Sequence, residues 1–494
     1  MDASYDGNKT SSLVDIEYLA SVLKLAQFPL IGKEYGNSEQ RRKAFIKEAS
    51  KLYEKGNNMY KDKPYRLTTL DGDHIVVPVS ALEELRRLPD AKTRLTTSYE
   101  QSIESKYTNG TKTDISGFVN RIVRADLTRS LNRINPRLAQ EAERTVDSAL
   151  GPCEDWTEAV IYEKLLRVVA IVSGRIFLGP DLCRREEYLN SSINYTVDLF
   201  RGVRKLKLWN DWLRPIGQYF TPELHTISEH RRKAKEFLQP IIRERRDMIR
   251  EGKELPDDML QWMIKDAEDY SLSDEDLAEA QLGVSLAAIH TTTMATTDIL
   301  YELAIRPEIV EEIRGEVQDV LKENDGVIGT HALFQMKLLD SVMPRFRRYI
   351  DQPITLSDGT LLPAGSFIEA AHGSIISNPA LYPDPETFNP YRFRDLRNAS
   401  VPDPINYQTT EQYQFVTVTK ENMGFGYGRH ACPGRFFAAN VMKLILARML
   451  LIYDIRMPGG GKERYGPLIQ GASRNPNPKY KIEIRRVKTV AGKD

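Results

Sequence analysis

One cysteine, Cys432, lies in the glycine-rich run Phe425-Gly426-Tyr427-Gly428-Arg429-His430-Ala431-Cys432-Pro433-Gly434-Arg435. Phe437, Val441, Leu444 and Ile445 follow it with the i, i+4, i+7, i+8 spacing of one apolar helix face, until Arg448 interrupts the stripe. Cys432 therefore belongs at a helix start, with Pro433 suited to the first helical position because its missing N–H costs nothing there. Free backbone N–H groups and the positive end of the helix dipole favour an anion at such a start, and the reactive form of cysteine is the thiolate. Gly426, Gly428 and Gly434 permit tight turns and close approach that a Cβ would hinder. The arrangement fits a thiolate held against a flat metal cofactor. A free cysteine packed beside a loop is the plainer alternative.

A second group of chemically capable residues is Ala287-Ala288-Ile289-His290-Thr291-Thr292-Thr293, in the middle of a segment from Ser273 to Arg306. Ser273 with Asp276 predicts a capping box, and Pro307 ends the run. A continuous helix here is roughly 50 Å long, enough to cross a domain. Threonines are poor choices for helix propensity alone. They either back-bond to carbonyls inside a buried helix or present hydroxyls to a reaction, with His290 able to relay protons near neutral pH.

These residues need a body to position them. The 494 residues would fill roughly three average domains, but no repeat, low-complexity tract or long linker divides the chain. The fold class expected is mainly α with small β-sheets. Residues 1–32 read as an N-terminal amphipathic segment without a membrane anchor, and 33–494 as a single large domain. Leu13 to Leu25 is apolar-rich but carries Asp15, Glu17 and Lys24, so it is no bilayer-spanning stretch. Tyr65 to Val79 reads as a hairpin turning at Asp71-Gly72, and Ile354 to Leu362 as another at Asp358-Gly359. Glu223 to Arg250 has a helical pattern that Pro240 should kink or divide. Cys153, Cys183 and Cys432 are too few and odd in number for a disulfide scaffold, which fits a reducing compartment. With 69 basic and 69 acidic residues, charge gives no reason to propose nucleic acid as a partner.

The cysteine run resembles the haem loop of the cytochrome P-450 superfamily, Phe-x-x-Gly-x-Arg-x-Cys-x-Gly. Phe425, Gly428, Cys432 and Gly434 match in register, while His430 takes the usual Arg position with Arg429 just before it, a form similar to that of many fungal members. The resemblance implies that Cys432 is the axial ligand of the iron of haem b (heme b), with His430 or Arg429 facing a haem propionate. It also aligns Ala287 to Thr292 with the oxygen-activation motif, so that Thr291 would deliver protons. His290 stands where the family has an acid, and Ala288 where it has glycine. Tyr382 to Phe393 resembles the family's meander, and Arg392 is then the arginine that joins a buried Glu–Arg cluster under the haem loop.

The resemblance breaks between Leu339-Asp340-Ser341-Val342-Met343 and Arg347-Arg348-Tyr349. Only Pro344-Arg345-Phe346 stands where relatives carry a Glu-x-x-Arg helix, so roughly a dozen residues, about three turns, are missing. Glu311 and Arg314 match that spacing only by accident. Arg392 is therefore expected to lose its carboxylate, and an unpaired buried charge costs about 3–5 kcal/mol.

By resemblance the chain is a haem-thiolate monooxygenase that inserts one oxygen atom from O2 into a hydrophobic secondary-metabolite intermediate, a terpenoid or indole-terpenoid. Its electrons would come from an NADPH-dependent cytochrome P-450 reductase docking near Arg429, Arg435 and Lys443, at the cytoplasmic face of the endoplasmic reticulum. Two alternatives stand beside it: a haem-thiolate isomerase or dehydratase, and a non-catalytic remnant unable to hold haem.

Overall fold

The computed structural model describes residues 25–89, 95–108, 113–341, 348–349, 354–363, 366–370, 375, 378–385 and 387–488. Alternating residues before and after Asp71-Gly72 form the expected hairpin, β2 (Tyr65–Thr69) with β3 (Gly72–Val77). Gly72 has φ of +100°, which explains glycine at that turn. β1 (Leu30–Ile31) runs parallel to β2. On the other side β3 pairs in parallel with β5 (Phe367–Ala370), and β4 (Arg348–Tyr349) closes the sheet in the order β1-β2-β3-β5-β4. The pairing of Ile75 with Ile368 ties the N-terminal strands to a strand far along the chain. The second expected hairpin is also present, with Ile354–Thr355 paired to Leu361–Leu362 and Gly359 at φ +85°.

The remaining body is helical. α1 (Ser38–Met59) packs beside the sheet. α2 (Ile161–Phe177), α3 (Glu186–Leu206) and α4 (Pro222–Arg250) surround α5 (Asp274–Leu303), the long central helix. α4 continues through Pro240, so the proline does not divide it. Leu238 and Ile242 are buried on either side of that proline, and their packing against the neighbouring helices offsets the one lost backbone hydrogen bond.

α5 begins as its sequence predicts. The Ser273 hydroxyl accepts from the Asp276 N–H at 3.2 Å, and the Asp276 carboxylate accepts from the Ser273 N–H at 3.0 Å. Most of its residues are buried all round its circumference, the pattern of a helix in the middle of a core. α6 (Lys337–Asp340), α7 (Arg392–Arg397) and α8 (Arg435–Ile452) complete the elements that bear on the site. α8 packs on α5 and buries Phe437, Val441, Leu444 and Ile445, the predicted stripe. Arg448 leaves that stripe to pair with Asp147 at 2.6 Å and Glu143 at 2.9 Å.

Among the described residues no helix is long and apolar enough to cross a membrane. Most of the Leu13 to Leu25 segment lies outside the described residues, as does Pro344-Arg345-Phe346.

Candidate active site

The cysteine run folds into a loop closed by its own backbone, in which the Cys432 N–H donates to the Phe425 carbonyl at 2.7 Å. Gly428 sits at φ +65°, and a Cβ there would lie 2.4 Å from the Arg86 Cγ, so only glycine fits. The short helix Leu82–Arg87 grips the loop from one side. Its Glu83 accepts from the Tyr427 hydroxyl, and its Arg86 guanidinium lies 5.6 Å from the centre of the Tyr427 ring. Arg124 donates to the Arg429 carbonyl at 2.5 Å. Phe425 packs edge-on against Phe415, with ring centroids 4.8 Å apart. Arg429 is exposed and His430 half-buried.

Gly434 caps α8 and Arg435 is its first helical residue, so Pro433 lies before the helix rather than opening it. The Cys432 carbonyl is already taken by the Arg435 guanidinium at 3.0 Å, which holds the preceding residues in a turn. The Cys432 side chain keeps open surface, yet protein surrounds it closely enough that burial raises its thiol pKa. The Gly434 N–H and the Arg435 charge pull the pKa down but are outweighed. A metal cation at sulfur favours the thiolate, because coordination deprotonates the thiol.

On α5, beyond its first turn, the exposed residues are Ala287 and Thr291, one helical turn apart on the same face. The Thr291 hydroxyl donates to the Ala287 carbonyl at 2.7 Å, leaving its oxygen free to accept from that open face. Thr293 and Thr296 make the same back-bond, to Ile289 and Thr292 at 2.8 Å each, but are fully buried. For those two the plain structural account is sufficient.

His290 points elsewhere. Its Nε2 lies 3.0 Å from the Ile193 carbonyl on α3, and its Nδ1 lies 3.2 Å from the Tyr162 hydroxyl on α2. A carbonyl only accepts, so Nε2 carries the proton, and Nδ1 accepts from Tyr162. Both nitrogens are thus used to join helices, and burial holds the ring's pKa below the ordinary 6.5. In this arrangement both ring nitrogens are engaged between helices instead of turned to the open face of α5. Because the folded ring resists protonation, the unfolded chain binds the extra proton below pH 6.5, and stability falls with pH from there until the folded ring titrates. Melting temperatures measured on either side of pH 6.5 should therefore differ more for the parent protein than for His290→Gln, which keeps a donor for Ile193. Equal acid sensitivity in both would contradict this reading.

Arg392 is half-buried on α7 and donates to backbone carbonyls: Pro383, Asp384 at 3.0 Å and Thr387 at 3.4 Å. Its guanidinium is not left bare as expected, because the meander folds back around it. Lys443, expected at a docking surface, is 6% exposed and pairs with Asp340 at 2.5 Å. Sequence reasoning missed Tyr162, Glu83, Arg86, Arg124 and the Asp340–Lys443 pair, since each acts through a partner distant along the chain.

The chemistry of these residues suits a haem. A haem needs a soft donor and room beside small side chains; Cys432 is an exposed soft donor in the loop that leads into α8, and Ala287 and Thr291 form a small exposed face on α5, which packs on α8. The sequence profile of the cytochrome P-450 family matches residues 107–483. Cytochrome P-450 monooxygenase braC of Annulohypoxylon truncatum is 35% identical over 446 residues, covering 87% of this chain and 86% of its own. Monooxygenase TES1 of Alternaria alternata is 31% identical over 486 residues, covering 95% and 90%. The solved structure of retinoic acid bound cyanobacterial CYP120A1 superposes with a TM-score of 0.65 at 18% identity, over 90% of this chain and 96% of that one.

Proposed function

This chain belongs to the cytochrome P-450 family and is a haem-thiolate monooxygenase, and we propose that Cys432 is its iron ligand and Thr291 its proton-handling residue. The observation that carries the reading is an exposed cysteine in a closed loop together with the exposed Ala287–Thr291 face of a largely buried helix. Bound haem supplies the activation of dioxygen, which this polypeptide cannot provide. Cys432 would hold the iron through sulfur, its position set by the hydrogen bond to Phe425 and the grip of Glu83 and Arg86. Arg429, His430 and the Phe425, Gly428 and Gly434 backbone would cradle the group, while Arg392 secures the meander. Thr291 Oγ1, fixed by the Ala287 carbonyl, would hold a proton or a water at the open face.

The substrate class we propose is a hydrophobic terpenoid or indole-terpenoid intermediate. The small Ala287 beside Thr291 leaves room for a bulky ligand at that face. Electrons would come from an NADPH-dependent reductase on the cysteine side, where Arg429 is exposed, at the cytoplasmic face of the endoplasmic reticulum. We take residues 33–494 as the catalytic domain.

Turnover with reductase, NADPH and isotopically labelled dioxygen tests the reading. One labelled oxygen atom per product molecule is expected. Product formed without dioxygen or reductase would instead favour an isomerase or dehydratase.

A further inference from the structure

Asp340 ends α6 and is 4% exposed, yet its two oxygens draw together three separate segments. Oδ1 pairs with Lys443 of α8 at 2.5 Å. Oδ2 accepts from Arg397 of α7 at 3.3 Å and from the Phe415 N–H at 2.9 Å. Arg397 continues to Glu411 at 3.0 Å, and Lys443 also donates to the Leu333 carbonyl at 2.9 Å. Glu316, which accepts from the Leu338 and Leu339 N–H groups, also lies near Lys443; removing Asp340 or Lys443 leaves an uncompensated charge in the interior.

The cluster reaches the cysteine loop from both sides. Lys443 holds α8, the helix that begins just after Cys432. Phe415, held by its N–H, packs its ring on Phe425, whose carbonyl receives the Cys432 N–H at 2.7 Å. We infer that Asp340, Lys443 and Arg397 are positioning residues for Cys432: they keep the two sides of its loop in register and so determine whether sulfur stays on iron. This rests on the haem-thiolate reading above. It also locates the charges that brace the loop in Asp340, Arg397 and Lys443, whereas Arg392 is spent on backbone carbonyls.

The test uses carbon monoxide difference spectra of the reduced, haem-loaded full chain, at a temperature where circular dichroism shows each variant folded. In Asp340→Asn and Lys443→Met the non-thiolate band should carry most of the haem signal, whereas the parent protein shows almost none. The double variant removes both charges and keeps an acceptor for Phe415, so it should recover most of the thiolate band. Glu411→Gln, at the half-exposed end of the cluster, should shift the ratio in the same direction but less. Asp258→Asn serves as control, because Asp258 makes an equally buried pair with Arg245, at 2.5 Å, in other helices. It should lower the melting temperature and leave the band ratio unchanged.

If Asp340→Asn and Lys443→Met lose only melting temperature, as the control does, the cluster is merely structural and the inference is wrong. Should Asp340→Asn fail to fold, the double variant and Glu411→Gln provide the same comparison. A parent protein without a thiolate band would overturn the haem-thiolate reading, and the inference with it.

Discussion

Cys432→Ser is expected to eliminate the thiolate-type carbon monoxide band and reduce oxygenation to background while leaving the fold intact. The backbone bond from residue 432 to the Phe425 carbonyl does not involve the side chain, so the loop should close in the variant as it does in the parent. The chemistry changes completely, because a hydroxyl is a hard, weakly acidic donor where iron has a soft, readily ionised one. Sulfur's electron donation, which favours O–O cleavage, is lost with it. Cys183 provides the contrast. It is fully buried, donates to the Pro180 carbonyl at 3.2 Å, and burial pushes its pKa up to about 11. Cys183→Ser should therefore alter stability and leave the band where it is. A retained thiolate band in Cys432→Ser would mean that sulfur is not the ligand.

The second large effect is expected at Thr291. Thr291→Ala removes the only hydroxyl on the exposed middle face of α5, and alanine is the better helix former, so the helix should not suffer. Loss of a positioned proton-handling group typically costs about a hundredfold or more in the step it serves. Product formed per NADPH consumed should fall by about that factor, with NADPH oxidation continuing, and Thr291→Ser should restore much of it. Thr293→Ala, which removes a buried hydroxyl with the same back-bond, should leave that ratio alone. Unchanged product yield in Thr291→Ala would exclude a proton-handling role.

Local signals made the main parts legible. The glycine spacing around Cys432, the apolar period from Phe437 to Ile445, the Ser273–Asp276 cap and the two Asp-Gly turns are each written within a dozen residues, and each formed as read. Not legible was information carried by distant partners. His290 reads as a relay in the sequence, where its partners Tyr162 and Ile193 cannot be seen. Lys443 interrupts an apolar run in the way a surface charge does, and only the fold brings Asp340 to it. Pro240 breaks an isolated helix, but in α4 the buried flanks at Leu238 and Ile242 carry the helix through. Burial around Cys432 was not legible either, for a related reason. Charge and helix dipole can be read from neighbouring residues, whereas desolvation depends on everything that packs around the loop.

The most direct measurement is a carbon monoxide difference spectrum of the reduced, purified parent protein. The account predicts the strongly shifted Soret band of haem bound through a thiolate. Absence of haem, or only the band of a non-thiolate form, would contradict it and leave a cytochrome P-450 fold that does not hold its cofactor through Cys432.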